Sequence, residues 1–151
     1  TALGGQRLGA KETPAAERYG ADTIRLCMIF IAGCGTLVLV FASEIVSAFT
    51  TSTDVNVIGY EMLWFFTIAQ LFSGFSIVAG GVMAGGGETR PPLYYTIIGQ
   101  WGIMLPLSFI LVFLGGFDTT GIWFAWMLGG MAQGIMTYRR YLKGTWKVTV
   151  V

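Results

Sequence analysis

The side chains able to do chemistry are few in this chain, and most of them stand outside its apolar runs. Histidine is absent, which removes the commonest acid–base group and metal ligand. Cys27 and Cys34 fall on one helical face with backbones about 10 Å apart, too far for a disulfide, so they read as inert apolar thiols. No metal-ligand cluster and no nucleophile–base set is present, and an enzyme is not expected. The Gly-rich run 85–87 lacks the Gly-Lys-Ser/Thr ending and the preceding strand of a phosphate loop. What remains within the runs is polar but uncharged: Gln70, Ser73 and Ser76, with Thr67 just before Gln70. Phe66, Gln70, Ser73 and Ile77 follow the spacing of one helical face. That face offers an aromatic surface and an amide, which suits a mostly apolar substrate cleft with a few polar groups. Aromatic rings also attract organic cations. The same side chains would serve interhelical hydrogen bonds, worth about 0.6 kcal/mol on average in membranes.

The elements that carry this face are set by charge. All 9 Lys and Arg residues fall into three clusters: Arg7, Lys11, Arg18 and Arg25; Arg90; and Arg139, Arg140, Lys143 and Lys147. Between them Leu26 to Ser43, Met62 to Gly87, Pro91 to Phe117 and Thr119 to Tyr138 carry no charge. A spanning helix needs roughly 20 residues, and the runs lack the period-two alternation of spanning strands. The chain is 54% apolar and 11% charged, where a soluble domain carries about 25% charged residues. The expectation is an all-α, polytopic transmembrane helix bundle with spans at 24–43, 56–84, 91–115 and 119–140, in a multi-pass protein of a cell (plasma or inner) membrane. Four crossings put every basic residue, and the C-terminus, on one side, and the positive-inside rule makes that side cytoplasmic. Glu44, Asp54 and Glu61 then lie on the outer side as solvated loop acids. Nothing supports nucleic-acid binding; the partner implied is the lipid bilayer.

The joints are legible as well. Ser52, Thr53 and Asp54 offer N-cap oxygens for a span starting near Val55. Gly85, Gly86, Gly87, Glu88, Thr89 and Arg90 form a short inner turn, with Pro91 and Pro92 at the next helix start and Glu88 set to pair with Arg90 as an exposed ion pair. Pro106 has no N–H for the Gly102 carbonyl, which predicts a helix kink, with Gln100 or Ser108 placed to satisfy the freed backbone. Gly81 and Gly85, and Gly130 and Gly134, mark close helix packing. The Trp residues lie mostly near span ends; Trp101 is the deepest and is expected to face protein. Thr1–Ala10 reads as the cytoplasmic end of an earlier helix.

In order, these joints resemble the C-terminal part of a multidrug and toxic compound extrusion (MATE) transporter. Gly5-Gln6-Arg7-Leu8-Gly9-Ala10 with Ala16-Glu17-Arg18 resembles the family's end of helix 8. Phe49-Thr50, Asp54, Gly59 and Leu63 resemble the loop leading into helix 10. Gly85-Gly86-Gly87-Glu88-Thr89-Arg90-Pro91-Pro92 resembles the family's glycine-rich turn. Trp101 with Leu105-Pro106-Leu107, then Gly121-Ile122-Trp123 with Ala125, resemble parts of helices 11 and 12, and Gly144-Thr145-Trp146-Lys147 resembles the basic tail.

The resemblance implies a part of the C-terminal lobe, from the end of helix 8 through helix 12, of a twelve-helix transporter. Its partners would be the missing N-terminal part of the same transporter and a cationic or amphipathic organic substrate, exported in exchange for Na⁺ or H⁺ by alternating access. No other cofactor is implied. Where some members carry a cation-binding carboxylate this chain has Ser73, which holds neither proton nor charge, so the coupling site is expected outside this chain. Ala84 and Met104 stand where members often have Arg. A related lipid-linked saccharide flippase and a non-transporting four-helix membrane scaffold are the alternatives; the charge-free spans speak against the first.

Overall fold

The computed structural model describes residues 13–147. The helix end expected over Thr1–Ala10, with Arg7 and Lys11, lies outside the described residues. Among the described residues every element is helical. Helix α1 (Thr13–Val40) stops at Phe41 (φ −101°, ψ 19°), and the short α2 (Ala42–Phe49) follows. The expected run 24–43 is thus interrupted near its C-terminal end. Helix α3 (Thr53–Gly85) is 33 residues long and starts two residues before the expected Val55. Ser52 takes the cap position without a side-chain cap bond, and Asp54 in the first turn complements the helix dipole instead. Helix α4 (Arg90–Leu114) and helix α5 (Asp118–Lys143) complete the bundle, and Thr145–Lys147 forms a final single turn.

The turns follow from glycine. Gly87 (φ 87°) sits in the left-handed region, where a side chain is strained. It lets the Glu88 N–H turn back onto the Met83 carbonyl at 3.0 Å. Gly144 (φ 67°) ends α5 in the same way.

Within α4 the backbone stays helical through Pro106 but widens. Residues Ile98–Met104 and Ile110–Leu114 are π-helical, and the Leu105 N–H reaches back five residues to the Gln100 carbonyl. A widened turn accommodates a proline ring that would otherwise press on the carbonyl four residues earlier. Ser108 donates to the Met104 carbonyl at 2.7 Å rather than to that of Gly102.

Packing runs in the order α1, α3, α5, α4, with α3 and α5 in the middle. Small residues make this possible. A Cβ built on Gly130 would stand 2.8 Å from the Ser73 hydroxyl, and one on Gly134 2.9 Å from the Phe72 carbonyl. One on Gly129 would stand 2.7 Å from the Gly99 carbonyl oxygen of α4. The core is accordingly made of Ala42, Ala69, Ala79 and Ala125 with few large side chains, while Leu26, Phe30, Trp101 and Phe113 are at least 70% exposed. This is the reverse of a water-soluble domain, in which exposed apolar patches stay small. Trp101 is 70% exposed and points away from α5, because Gly99 two residues earlier is the contact with that helix. The tryptophan that is buried is Trp146, 1% exposed.

Among the described residues three helices are long and apolar enough to cross a membrane: α1, α3 and α4. The fourth, α5, is 26 residues long but gives its inner positions to Gly121, Gly129, Gly130, Gln133, Gly134 and Thr137. A helix surrounded by neighbours needs small and polar contact residues, and these lower its hydropathy.

The two ends differ in charge. Gly20, Val82, Tyr141 and Trp146 meet at one end, which carries Arg18, Arg90, Arg139, Arg140 and Lys143. Glu61 and Thr120 meet at the other, along with Val46 and Gly59; that end carries Glu44, Asp54 and Asp118, and neither Lys nor Arg occurs in residues 40–61 or 111–121.

Candidate substrate face and its polar supports

Helix α3 positions the expected face, and its neighbours divide it. Phe66 and Gln70 line a groove of about 390 Å³ between α1, α2 and α3, together with Phe30, Cys34, Leu63 and Thr67. Phe66 also meets Trp126 of α5 edge to face, with centroids 5.6 Å apart. Ser73 instead points at Gly130 of α5, and Ile77 is 67% exposed. The structure therefore brings Phe66 and Gln70 together on one groove and separates Ser73 and Ile77 from it. Chemically the groove is an apolar and aromatic slot with one amide and one hydroxyl. It holds no charge, so it can select by shape and ring contact rather than by ion pairing. Among the described residues no group of three His, Cys, Asp or Glu could hold a metal ion.

Two polar clusters join residues that the sequence reading named, Ser76 and Glu88, to partners that it did not. In the first, Ser76 and Thr137 share a hydrogen bond of 2.7 Å. The Gln133 amide donates to Ser76 at 3.2 Å and to Thr96 at 3.1 Å, so one side chain of α5 ties α3 to α4. Gln133 is the one strongly polar side chain between Gly121 and Thr137, and a polar group inside an apolar run faces protein by default; that signal was available. Gln133→Leu leaves the Ser76–Thr137 bond intact and leaves Thr96 its bond to the Pro92 carbonyl. The expected loss of stability in detergent is therefore only about 0.6–1.7 kcal/mol, read as a small shift of the unfolding midpoint.

The second cluster corrects an expectation. Glu88 pairs with Arg140 of α5 and not with Arg90. Its Oε1 accepts from Arg140 Nε at 2.9 Å and also from Nη2, and Thr145 Oγ1 lies 3.1 Å from both carboxylate oxygens. Glu88 is buried, not exposed. Of the expected inner-turn residues Gly85, Gly87, Glu88 and Thr89, Glu88 is the seat on which the end of α5 is fixed. Beside this seat Trp146 stacks on Tyr141 at 5.6 Å and 13°, closing the basic end between α1 and α3.

Aromatic rings gather toward the acidic end, where Phe65 meets Phe124 and Trp123 meets Trp126. A cavity of about 280 Å³ opens there, lined by Phe65, Leu111, Phe117, Thr120, Gly121 and Phe124.

The MatE family model matches residues 1–110. The chain belongs to the MatE family. It is 25% identical over 142 residues to the uncharacterized transporter YisQ of Bacillus subtilis, covering 94% of this chain and 31% of that protein. It is 29% identical over 143 residues to the probable multidrug resistance protein NorM of Mesorhizobium japonicum, covering 91% and 30%. The NorM protein of Rhodopseudomonas palustris is 28% identical over 142 residues, covering 91% and 29%. The chain thus spans about a third of the length of the curated relatives it matches. No solved structure matches it. The match includes the turn 85–92 and most of α4, so the glycine, proline and acidic joints of this family member are those that close its basic end.

Proposed function

We propose that the chain supplies helices of the C-terminal lobe of a secondary antiporter that exports cationic or amphipathic organic compounds in exchange for Na⁺ or H⁺. The observation that carries this reading is the family match over a chain whose helices turn apolar side chains outward and small or polar ones inward. The names of the NorM relatives point to drugs as cargo. All four long helices cross the membrane, α5 included, and the basic end faces the cytoplasm of a plasma or inner membrane. Phe66 and Gln70 contribute to the cleft wall. The coupling ion is bound by an acid elsewhere in the transporter, since Ser73 offers none. Alternating access rocks the lobes about the cleft, and the π-helical stretches around Pro106 are where α4 bends.

Two measurements test this. With Cys27 and Cys34 replaced by Ala, Asp54→Cys reacts with an impermeant maleimide from outside intact cells, and Arg90→Cys reacts only after permeabilisation. Equal reactivity from one side removes the topology. In proteoliposomes the 151-residue chain alone exchanges no fluorescent organic cation against a Na⁺ or pH gradient, whereas the transporter that contains it does; absence of exchange by that transporter removes the antiport reading.

A further inference from the structure

The single turn Thr145–Lys147 is held from two sides. Gly144, at φ 67°, ends α5 and turns the chain back over that helix end. On one side Thr145 Oγ1 lies 3.1 Å from both carboxylate oxygens of Glu88, next to the Glu88–Arg140 ion pair. On the other side the Trp146 ring lies flat on Tyr141, and its indole N–H donates to the Tyr141 carbonyl at 3.4 Å. That carbonyl belongs to the last turn of α5, where helix carbonyls lack intrahelical partners. Trp146 is the one aromatic side chain among the described residues that is fully buried.

What the ring covers is the start of α1. Ala16 and Gly20 stand four residues apart on one face of that helix. Ala16 is 1% exposed. A Cβ built on Gly20 would stand 2.9 Å from Val82 Cγ1 of α3, 3.6 Å from the Tyr141 hydroxyl and 3.9 Å from the Trp146 ring. Helices α1 and α5 pack on α3 rather than on each other, so Tyr141 and Trp146 bridge them at this end. Farther along, α1 turns Leu26, Ile29, Phe30 and Leu37 outward. The ring comes from outside the long helices, on a three-residue turn held by hydrogen bonds beside one ion pair. It can therefore leave its seat without unfolding a helix, and a segment with few buried contacts is one that opens locally.

We propose that Thr145–Lys147 is a strap that latches the basic end of α1 to α3 and α5. Glu88 fixes the strap at Thr145, and the Trp146 ring closes over Gly20. With the ring seated, the basic ends of the three helices form one closed unit. With the ring withdrawn, α1 is held there by α3 alone, and its first turns are free to part from α5. The use of such a strap, setting how readily the basic end opens in alternating access, rests on the antiporter reading. The strap itself is a property of this chain and is tested without transport.

The test is maleimide labelling of the chain in detergent micelles, with Cys27 and Cys34 replaced by Ala and one new cysteine introduced. Ala16→Cys reports the strapped end, and Ala42→Cys, at a position 0% exposed near the acidic end, reports the rest of the bundle. With the strap intact both react slowly. Trp146→Ala, and separately a chain ending at Gly144, speeds labelling of Ala16→Cys about tenfold or more and leaves Ala42→Cys within about twofold, since a buried thiol reacts in proportion to the population of the open state. Trp146→Phe, which keeps a ring in the seat, stays close to the intact strap. Glu88→Gln, which weakens the hold on Thr145, speeds Ala16→Cys about threefold. Fast labelling of Ala16→Cys with the strap intact, or no acceleration in either strap variant, overturns the proposal. Equal acceleration of Ala16→Cys and Ala42→Cys overturns it too, because the turn then supports the whole bundle instead of latching one end. If the selective acceleration holds while the transporter exchanges nothing, the antiport reading fails and the strap stands.

Discussion

Glu88→Ala is expected to destabilise the chain by about 2–3 kcal/mol in detergent, below the roughly 3–5 kcal/mol of a fully buried pair. The discount follows from geometry: the Glu88 side chain is 9% exposed but that of Arg140 is 30% exposed, so the abandoned guanidinium recovers part of its hydration. The loss exceeds that of an exposed pair, about 0–1 kcal/mol, because the same carboxylate also accepts from Thr145. Arg140→Ala leaves the buried carboxylate behind and costs at least as much. The double variant Glu88→Ala with Arg140→Ala should lose less than the sum of the two, by about 1–2 kcal/mol, which is the signature of direct coupling. Chemical unfolding in micelles followed by far-UV circular dichroism measures all three. Additive losses would mean that the ion pair does not hold the end of α5 on the turn at 85–90.

The other large effect lies at the closest helix contact. Gly129→Val is expected to cost about 3 kcal/mol or more, at or beyond the usual range for overpacking, roughly 1–3 kcal/mol. The obstacle is backbone: the new Cβ would stand 2.7 Å from the Gly99 carbonyl oxygen and 3.0 Å from the Met104 Cβ. A side chain could rotate away, but a carbonyl held in a helix cannot, so α4 and α5 must separate. Gly99→Val meets the same barrier from the other side, 2.9 Å from the Gly129 carbonyl oxygen. Gly33→Ala is the control, since a Cβ there meets nothing within 4 Å. Replacing a mid-helix glycine in open space is neutral or stabilises by up to about 1 kcal/mol. Unfolding midpoints moving in opposite directions for Gly129→Val and Gly33→Ala would confirm that glycine content here reflects contact; a similar loss at both would refute it.

Helix content was legible because long uninterrupted apolar runs admit few other structures. The turn at 85–92 was legible because glycine and proline constrain the backbone wherever they stand. The candidate face was only half legible. Phe66, Gln70, Ser73 and Ile77 do share a helical side, but that side is broad enough for α5 to cover Ser73 while Ile77 remains open. Spacing along one helix cannot say which neighbour covers which turn. The expected pairing of Glu88 with Arg90 failed for a similar reason. Proximity in sequence favoured Arg90, whereas the turn at Gly87 aims the carboxylate inward, at Arg140.

Charge and hydropathy along the chain were enough to dictate antiparallel apolar helices with the basic residues gathered at one end, because burying charge in hydrocarbon is too costly for any arrangement to hide. Its joints also carried the family resemblance, since turn chemistry is local. Packing makes α3 and α5 the inner helices, lets Gln133 and Glu88 tie distant segments together, and partly encloses Glu61 beside Thr120. Those outcomes depend on which helix packs against which, and that is fixed by contacts between residues far apart in the chain.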